Sequence, residues 1–280
     1  MQLSVNSGLH SGRKDRERYS VETGLDFIID IGFKVIDINF SASIHKEPTR
    51  EDNALHGPDW RARMERLKAS LDQRDVVVPY SHLPFFPFED IDPATSFEHE
   101  MTLRAIEASG ILGVKWAVVH PSALEDNGKA YERTKNYLQL LLETADKYGV
   151  GLAIENLAKP GHFCSDLDAL CQLVDEFPGN VGICWDTGHC NLLQEEQAFG
   201  LRKIGDRLKV LHVHDNFGSK DEHSVPYAGT IDWDKVMTAL KEIGFKGALN
   251  FEIRSVHLPE SVRKAHAQYL FQLGQHLCSI

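Results

Sequence analysis

Eight short runs of apolar, largely β-branched residues recur along the 280-residue chain, at 3–5, 35–40, 76–82, 114–120, 150–155, 181–186, 208–214 and 248–253. That is one run for about every 35 residues. Segments with helical spacing lie between them. Leu138, Leu141, Leu142 and Ala145 precede Gly149, and Val236, Leu240 and Ile243 precede Gly244, so in each an apolar stripe ends on a residue suited to a helix C-terminus. Thr95 with Glu98 predicts a capping box ahead of one helix, and Asp232 is placed to cap another. Parallel strands need a crossover helix each, so eight alternations predict a single (β/α)8 TIM barrel over residues 1–280. A doubly wound open sheet is the alternative. It would show a Gly-rich phosphate turn after an early strand, and the chain contains neither GxGxxG nor a Walker loop.

Composition narrows the partners. Thirty Lys and Arg against forty-one Asp and Glu leave a formal charge of −11, which repels polyanions and argues against nucleic acid or an anionic membrane. With 42% hydrophobic and 25% charged residues, the chain has the make-up of a globular protein that stays in water. Its five cysteines, Cys164, Cys171, Cys184, Cys190 and Cys278, are odd in number and form no CxxC pair, as expected of reduced thiols. The first twenty residues hold no apolar stretch resembling an export signal. A cytoplasmic location is the expectation.

The chemistry-bearing residues follow the repeat. His82, His120, Glu155, Asp186, His212 and Glu252 stand at the ends of six successive runs, separated by 38, 35, 31, 26 and 40 positions. In a barrel they converge on the carboxyl-terminal rim, where the active sites of this architecture lie. One such residue, His120 before Pro121 for instance, would be an ordinary packed histidine. Six facing one another would be costly to bury without a cation, which predicts a divalent metal. In Cys184-Trp185-Asp186-Thr187-Gly188-His189 the chain turns through Gly188 to bring His189 back over the rim. In Leu211-His212-Val213-His214-Asp215 alternation puts His212 and His214 on one side, inward if Val213 faces the helices.

These segments resemble the xylose-isomerase-like superfamily of barrels, which includes sugar and sugar-phosphate isomerases and epimerases, inosose dehydratases and apurinic endonuclease IV. The resemblance is carried by Ala153-Ile154-Glu155-Asn156-Leu157, residues 182–189, His212-Val213-His214-Asp215-Asn216, Asp221-Glu222-His223, Gly229-Thr230-Ile231-Asp232-Trp233 and Phe251-Glu252-Ile253, and more weakly by Ser81-His82-Leu83-Pro84-Phe85 and His120-Pro121. It implies that Glu155, Asp186, His212 and Glu252 hold one divalent ion; the ligand histidine there precedes an acidic residue by three positions, and Asp215 makes that His212. It also implies that Glu155 and Glu252 are acid and base, and that His189 touches substrate. In the endonuclease branch further ligands hold additional zinc, and His82, His120, His189, Asp221 and His223 match those positions as well. Against that branch stand the −11 charge and the lack of an Arg/Lys-rich loop to grip DNA. The chain also departs from a loop frequent among the isomerase-like members. A Pro-x-Gly-x-Gly pattern is expected after His223, and 225–229 (Val-Pro-Tyr-Ala-Gly) lacks the first glycine.

Two carboxylates flanking a Lewis-acidic metal (Mn, Co, Zn or Mg) suit proton abstraction beside a carbonyl through an enediolate. The expected function is therefore a metal-dependent isomerase or epimerase of a ketose or sugar phosphate. The alternatives are an inosose dehydratase-like lyase, a zinc-dependent endonuclease IV-like phosphodiesterase, and a non-catalytic barrel with a structural metal. The segment 41–60 and the run Phe85-Phe86-Pro87-Phe88 are placed to act as a lid and an aromatic face for a sugar, or simply to pack there. Arg254, two residues past Glu252, could meet a phosphate or carboxylate, or form a rim salt bridge. For the proton-transfer geometry, strands five and eight are expected to face each other across the barrel.

Overall fold

The computed structural model describes residues 1–12, 18–47, 49–50, 52–86 and 94–280. Pro87 and Phe88 of the aromatic run, and Pro48 and Glu51 of the segment after the second strand, lie outside the described residues. Among the described residues eight strands form: β1 (Gln2–Asn6), β2 (Val35–Asn39), β3 (Val77–His82), β4 (Trp116–Val119), β5 (Gly151–Glu155), β6 (Val181–Asp186), β7 (Leu208–His212) and β8 (Ala248–Phe251). They pair in parallel in the order β7-β6-β5-β4-β3-β2-β1-β8. Past the end of β7, Val213 N–H donates to Asn250 O (2.8 Å) and Glu252 N–H donates to Val213 O (3.1 Å), which brings the two sheet edges together as a TIM barrel. The open-sheet alternative is thereby set aside.

Local signals explain most element ends. The helix α4 (Asn127–Tyr148) starts where Asp126 accepts the Lys129 N–H and stops at Gly149, whose φ of 68° is left-handed. Its buried face, Ala130, Thr134, Tyr137, Leu138, Leu141 and Ala145, has the 3.6-residue period that packs a helix on a sheet. Leu142 is only partly buried at the edge of that face. Asp232 caps α8 (Trp233–Glu242), as expected, by accepting from Lys235 N–H. The Thr95 cap is displaced by one residue. Helix α3 (Phe97–Leu112) begins so that Ser96, not Thr95, accepts the His99 N–H (3.3 Å), because a cap oxygen must reach the donor three residues on.

Period-two alternation divides the buried residues into two layers. The larger cluster, between strands and helices, includes Val5, Ile36, Ile38, Ile154, Ile183, Leu211 and Val213. A smaller one fills the barrel interior with Val35, Tyr80, Val118, Ala153, Cys184, Val210 and Ala248, and Trp116 packs against it. Val213 faces the helices, so His212 and His214 turn inward as alternation requires, and both are fully buried. All five cysteines are unbonded. Among the described residues, no helix is long and apolar enough to cross a membrane.

Candidate active site

The interior residue two positions before each rim residue belongs to the apolar floor on five strands: Tyr80 below His82, Val118 below His120, Ala153 below Glu155, Cys184 below Asp186 and Val210 below His212. Successive odd or even positions share one side of a strand, so the rim side chains must enter the barrel mouth. His82, Glu155, Asp186 and His212 are the last residues of their strands; His120 and Glu252 each stand one residue beyond theirs.

Ligand atoms of Glu155, Asp186, His212 and Glu252 all lie within 4.8 Å of one another, as do those of His82, Glu155 and His212, and those of His214, Asp221 and His223. The first two groups share Glu155 and His212. His212 Nδ1 lies 3.0 Å from Glu155 Oε1 and 3.4 Å from Glu252 Oε2. Glu155 Oε2 lies 2.9 Å from His120 Nε2 and 3.6 Å from His82 Nε2, so both first-half histidines reach the same glutamate. His189 is anchored through Nδ1 to Asn156 O (2.8 Å), and its N–H is held by Asp186 Oδ1 (2.7 Å) in the first turn of a short helix. His223 is held at both nitrogens, by Glu252 O (2.8 Å) and Asp221 Oδ2 (2.9 Å). Arg254 is 59% exposed and 3.9 Å from Asp221, a loose rim pair. All ten expected site residues therefore gather at one end of the barrel. The expectation that β5 and β8 oppose each other is corrected: the strand order puts them three places apart, with β6 and β7 between. The two glutamates meet because both lean toward His212.

Burial and mutual attraction compete in this cluster, and attraction wins. Burial opposes ionisation of Glu155, but the His212 and His120 imidazoles hold its carboxyl well below the usual range. Asp186 is depressed in the same way by His189 and His214. Burial likewise disfavours charged His189, yet the carboxylates of Asp186, Glu155 and Asp221 push it up to about 9. His212 rises well above its ordinary value, burial being outweighed by its neighbours Cys184, Glu252 and Glu155. Without a cation the site holds its carboxylates by protonating histidines. A divalent ion would replace those protons. The mixed oxygen and imidazole donor set, with Glu155 and Asp186 buried and Glu252 nearly so, fits such an ion.

Several contributors carry no strand-end signal of their own. Asn156 Oδ1 accepts the Asp186 N–H (2.7 Å) and its Nδ2 donates to Asp186 O (3.1 Å), locking the ends of β5 and β6 together. His214 lies 3.0 Å through Nε2 from Asp186 Oδ2. Gly188 makes room for it, since a Cβ there would sit 1.9 Å from the His214 ring. Asp37 on β2 lies 3.7 Å from His212 Nε2; an acidic residue inside an apolar run was the available signal. The altered loop has a visible consequence. Tyr227 adopts the left-handed φ of 68°, a conformation glycine favours, while a Cβ on Gly229 would lie 2.2 Å from Asn216 O.

A family profile described as a xylose isomerase-like TIM barrel matches residues 25–273, and the chain belongs to that family. Within it, the chain is 30% identical over 131 residues to the D-psicose 3-epimerase of Enterocloster bolteae, covering 45% of this chain and 42% of that protein. It is 27% identical over 158 residues to the inosose isomerase of Bacillus velezensis, covering 53% and 56%. The chain thus spans about half the length of these curated relatives. Among solved structures it superposes on the IolI protein with a bound zinc atom at a TM-score of 0.73 and 19% identity, covering 99% of this chain and 96% of that one.

Proposed function

We propose that this chain is a divalent-metal-dependent isomerase or epimerase of a small ketose or ketose phosphate. The observation that carries the reading is the pair of carboxylates, Glu155 and Glu252, converging on His212 in one buried cluster. Glu155, Asp186, His212 and Glu252 would hold the ion; Mn²⁺, Co²⁺ and Zn²⁺ suit the donor set, and Mg²⁺ suits its oxygens. Bound there, it would supply Lewis-acid polarisation of a substrate carbonyl. One glutamate takes the proton from the carbon beside that carbonyl and the other delivers a proton to the resulting enediolate. His189, oriented by Asn156, is available to a substrate hydroxyl. Phe85, 49% exposed and with its ring centroid 4.6 Å from that of His120, offers an apolar face to a sugar. Arg254, exposed beside Asp221 at the rim, offers a cation to a phosphate. The names of the epimerase and isomerase relatives support this reading, and the zinc in the IolI structure supports a metal.

The test is metal analysis of protein purified without added metal, then a screen of ketoses, ketose phosphates and inososes in D₂O. The expected result is turnover with solvent deuterium entering at the reacting carbon. Loss of water from an inosose would instead mark the lyase, and turnover without exchange would mark a hydride shift. The second reading, a zinc phosphodiesterase, is favoured by the separate His214, Asp221 and His223 cluster and by His82 and His120 beside Glu155. It requires two or three bound zinc ions and chelator-sensitive incision of an abasic duplex; the −11 charge predicts none at physiological salt.

A further inference from the structure

Beneath His212 the barrel wall changes character. On β8, β1 and β2 the interior carries Asn250, Ser4, Asn6 and Asp37, all buried. Their hydrogen bonds determine how each amide points. Ser4 Oγ donates to Asn250 Oδ1 (3.0 Å), and Gly8 N–H donates to Asn6 Oδ1 (2.8 Å). Both amide oxygens being taken, both NH₂ groups turn to Asp37 Oδ2, at 2.8 Å from Asn6 and 3.0 Å from Asn250. Among the described residues, Asp37 Oδ1 is left without a hydrogen bond, and so is His212 Nε2. Two buried polar atoms lacking partners on neighbouring groups call for a common explanation. The nearest Asp37 oxygen to Nε2 is Oδ2, the one held by both amides, at 3.7 Å, while the opposite nitrogen, Nδ1, faces Glu155 and Glu252.

We propose that Asp37, clamped by Asn6 and Asn250, is a positioning residue that keeps the proton of His212 on Nε2 and so reserves Nδ1 for the cation. This rests on the reading that His212 is a metal ligand. An Nε2–H toward a carboxylate is attractive, whereas an Nε2 lone pair there is repelled, so when a cation displaces the proton from Nδ1 the remaining proton is held on Nε2. Around the rest of the ring, Glu155 and Glu252 flank Nδ1, His82 stacks on the face with centroids 5.6 Å apart, and the buried Cys184 thiol is a further close neighbour.

The experiment compares wild type with Asp37→Asn, which keeps the volume and removes the charge, by calorimetric titration of the metal-stripped proteins with Zn²⁺. The expected result is a ten- to hundredfold weaker Zn²⁺ affinity in Asp37→Asn, the range typical of a lost partner behind a ligating histidine, with a thermal midpoint of the stripped protein unchanged or raised. A merely structural Asp37 would lower that midpoint and leave the affinity of the folded protein alone; an affinity change below tenfold overturns the proposal. Should the variant fail to fold, ¹⁵N-histidine spectra of Zn²⁺-loaded wild type decide it: Nε2 protonated with Nδ1 bound upholds the inference, and Nε2 bound overturns it. A wild type that takes up no Zn²⁺ defeats the metal reading itself, and this inference with it. Equal affinities in the two proteins defeat only the role of Asp37.

Discussion

The two sides of the barrel interior do the same mechanical job by opposite means. Under His120, Glu155, Asp186 and His212 the floor is Val118, Ala153, Cys184 and Val210, which pack as one cluster, with Cys184 also a close neighbour of His212. On β8, β1 and β2 the wall is Asn250, Ser4, Asn6 and Asp37, which must satisfy one another. An apolar floor can hold a ligand in place but cannot tell one imidazole nitrogen from the other. A polar wall can, because charge and hydrogen bonds have direction. The polar side adjoins Glu252 and looks across at His212, the one imidazole shared by Glu155 and Glu252.

The largest expected effect tests whether the rim acts as one unit despite its unlike supports. Glu155 stands over the apolar floor and Glu252 over the polar wall, yet Glu155→Gln and Glu252→Gln should each cut turnover of an authentic substrate about a thousandfold, as loss of a positioned acid or base does, with metal still bound. Steady-state kinetics and metal analysis check this. If only one matters, the acid/base pair is misassigned.

The supports themselves should break differently. Asn250→Leu removes the donor to Asp37 and the acceptor for Ser4, leaving buried polar atoms stranded, and should cost about 3 kcal/mol. Val210→Ala on the apolar side removes two methyl groups and should cost about 2 kcal/mol, through cavity formation. Denaturant unfolding of the metal-stripped proteins gives both. Only the first should also weaken metal binding.

A further effect distinguishes the empty from the loaded site by its sign. In metal-stripped protein His189 is raised from 6.5 to about 9, so its stabilising charge is fully present below pH 6.5 and is lost as pH rises to about 9. His212, also raised, adds in the same direction. Glu155 and Asp186 are lowered, so their contribution is present above their ordinary values of 4.5 and 3.8 and is lost on further acidification. The thermal midpoint of stripped protein should therefore fall between pH 6.5 and 9. With metal bound the trend should reverse, because the ion requires neutral imidazole and rising pH favours its uptake. A midpoint that rises with pH in both forms would show that the histidines are not protonated in the empty site.

Much of this molecule is written in local pattern. Eight apolar runs at regular spacing specify the barrel, since a β-branched run flanked by amphipathic helices has few other ways to bury both faces. The same alternation put His82, Glu155, Asp186 and His212 on the inward side at the rim, because period two fixes facing once the strand is fixed. Elements whose geometry is set by neighbours far along the chain were not legible. The Ser96 cap depended on where α3 begins, and the meeting of Glu155 with Glu252 depended on a lean toward His212 rather than on opposite strands. Asn156, Asn250 and Asp37 looked like scattered polar residues in apolar runs. Their roles arise from hydrogen bonds between strands, such as Asn250 to Asp37 across 213 positions of sequence, and hydrogen-bond direction is decided only when the barrel closes and brings its first and last strands side by side.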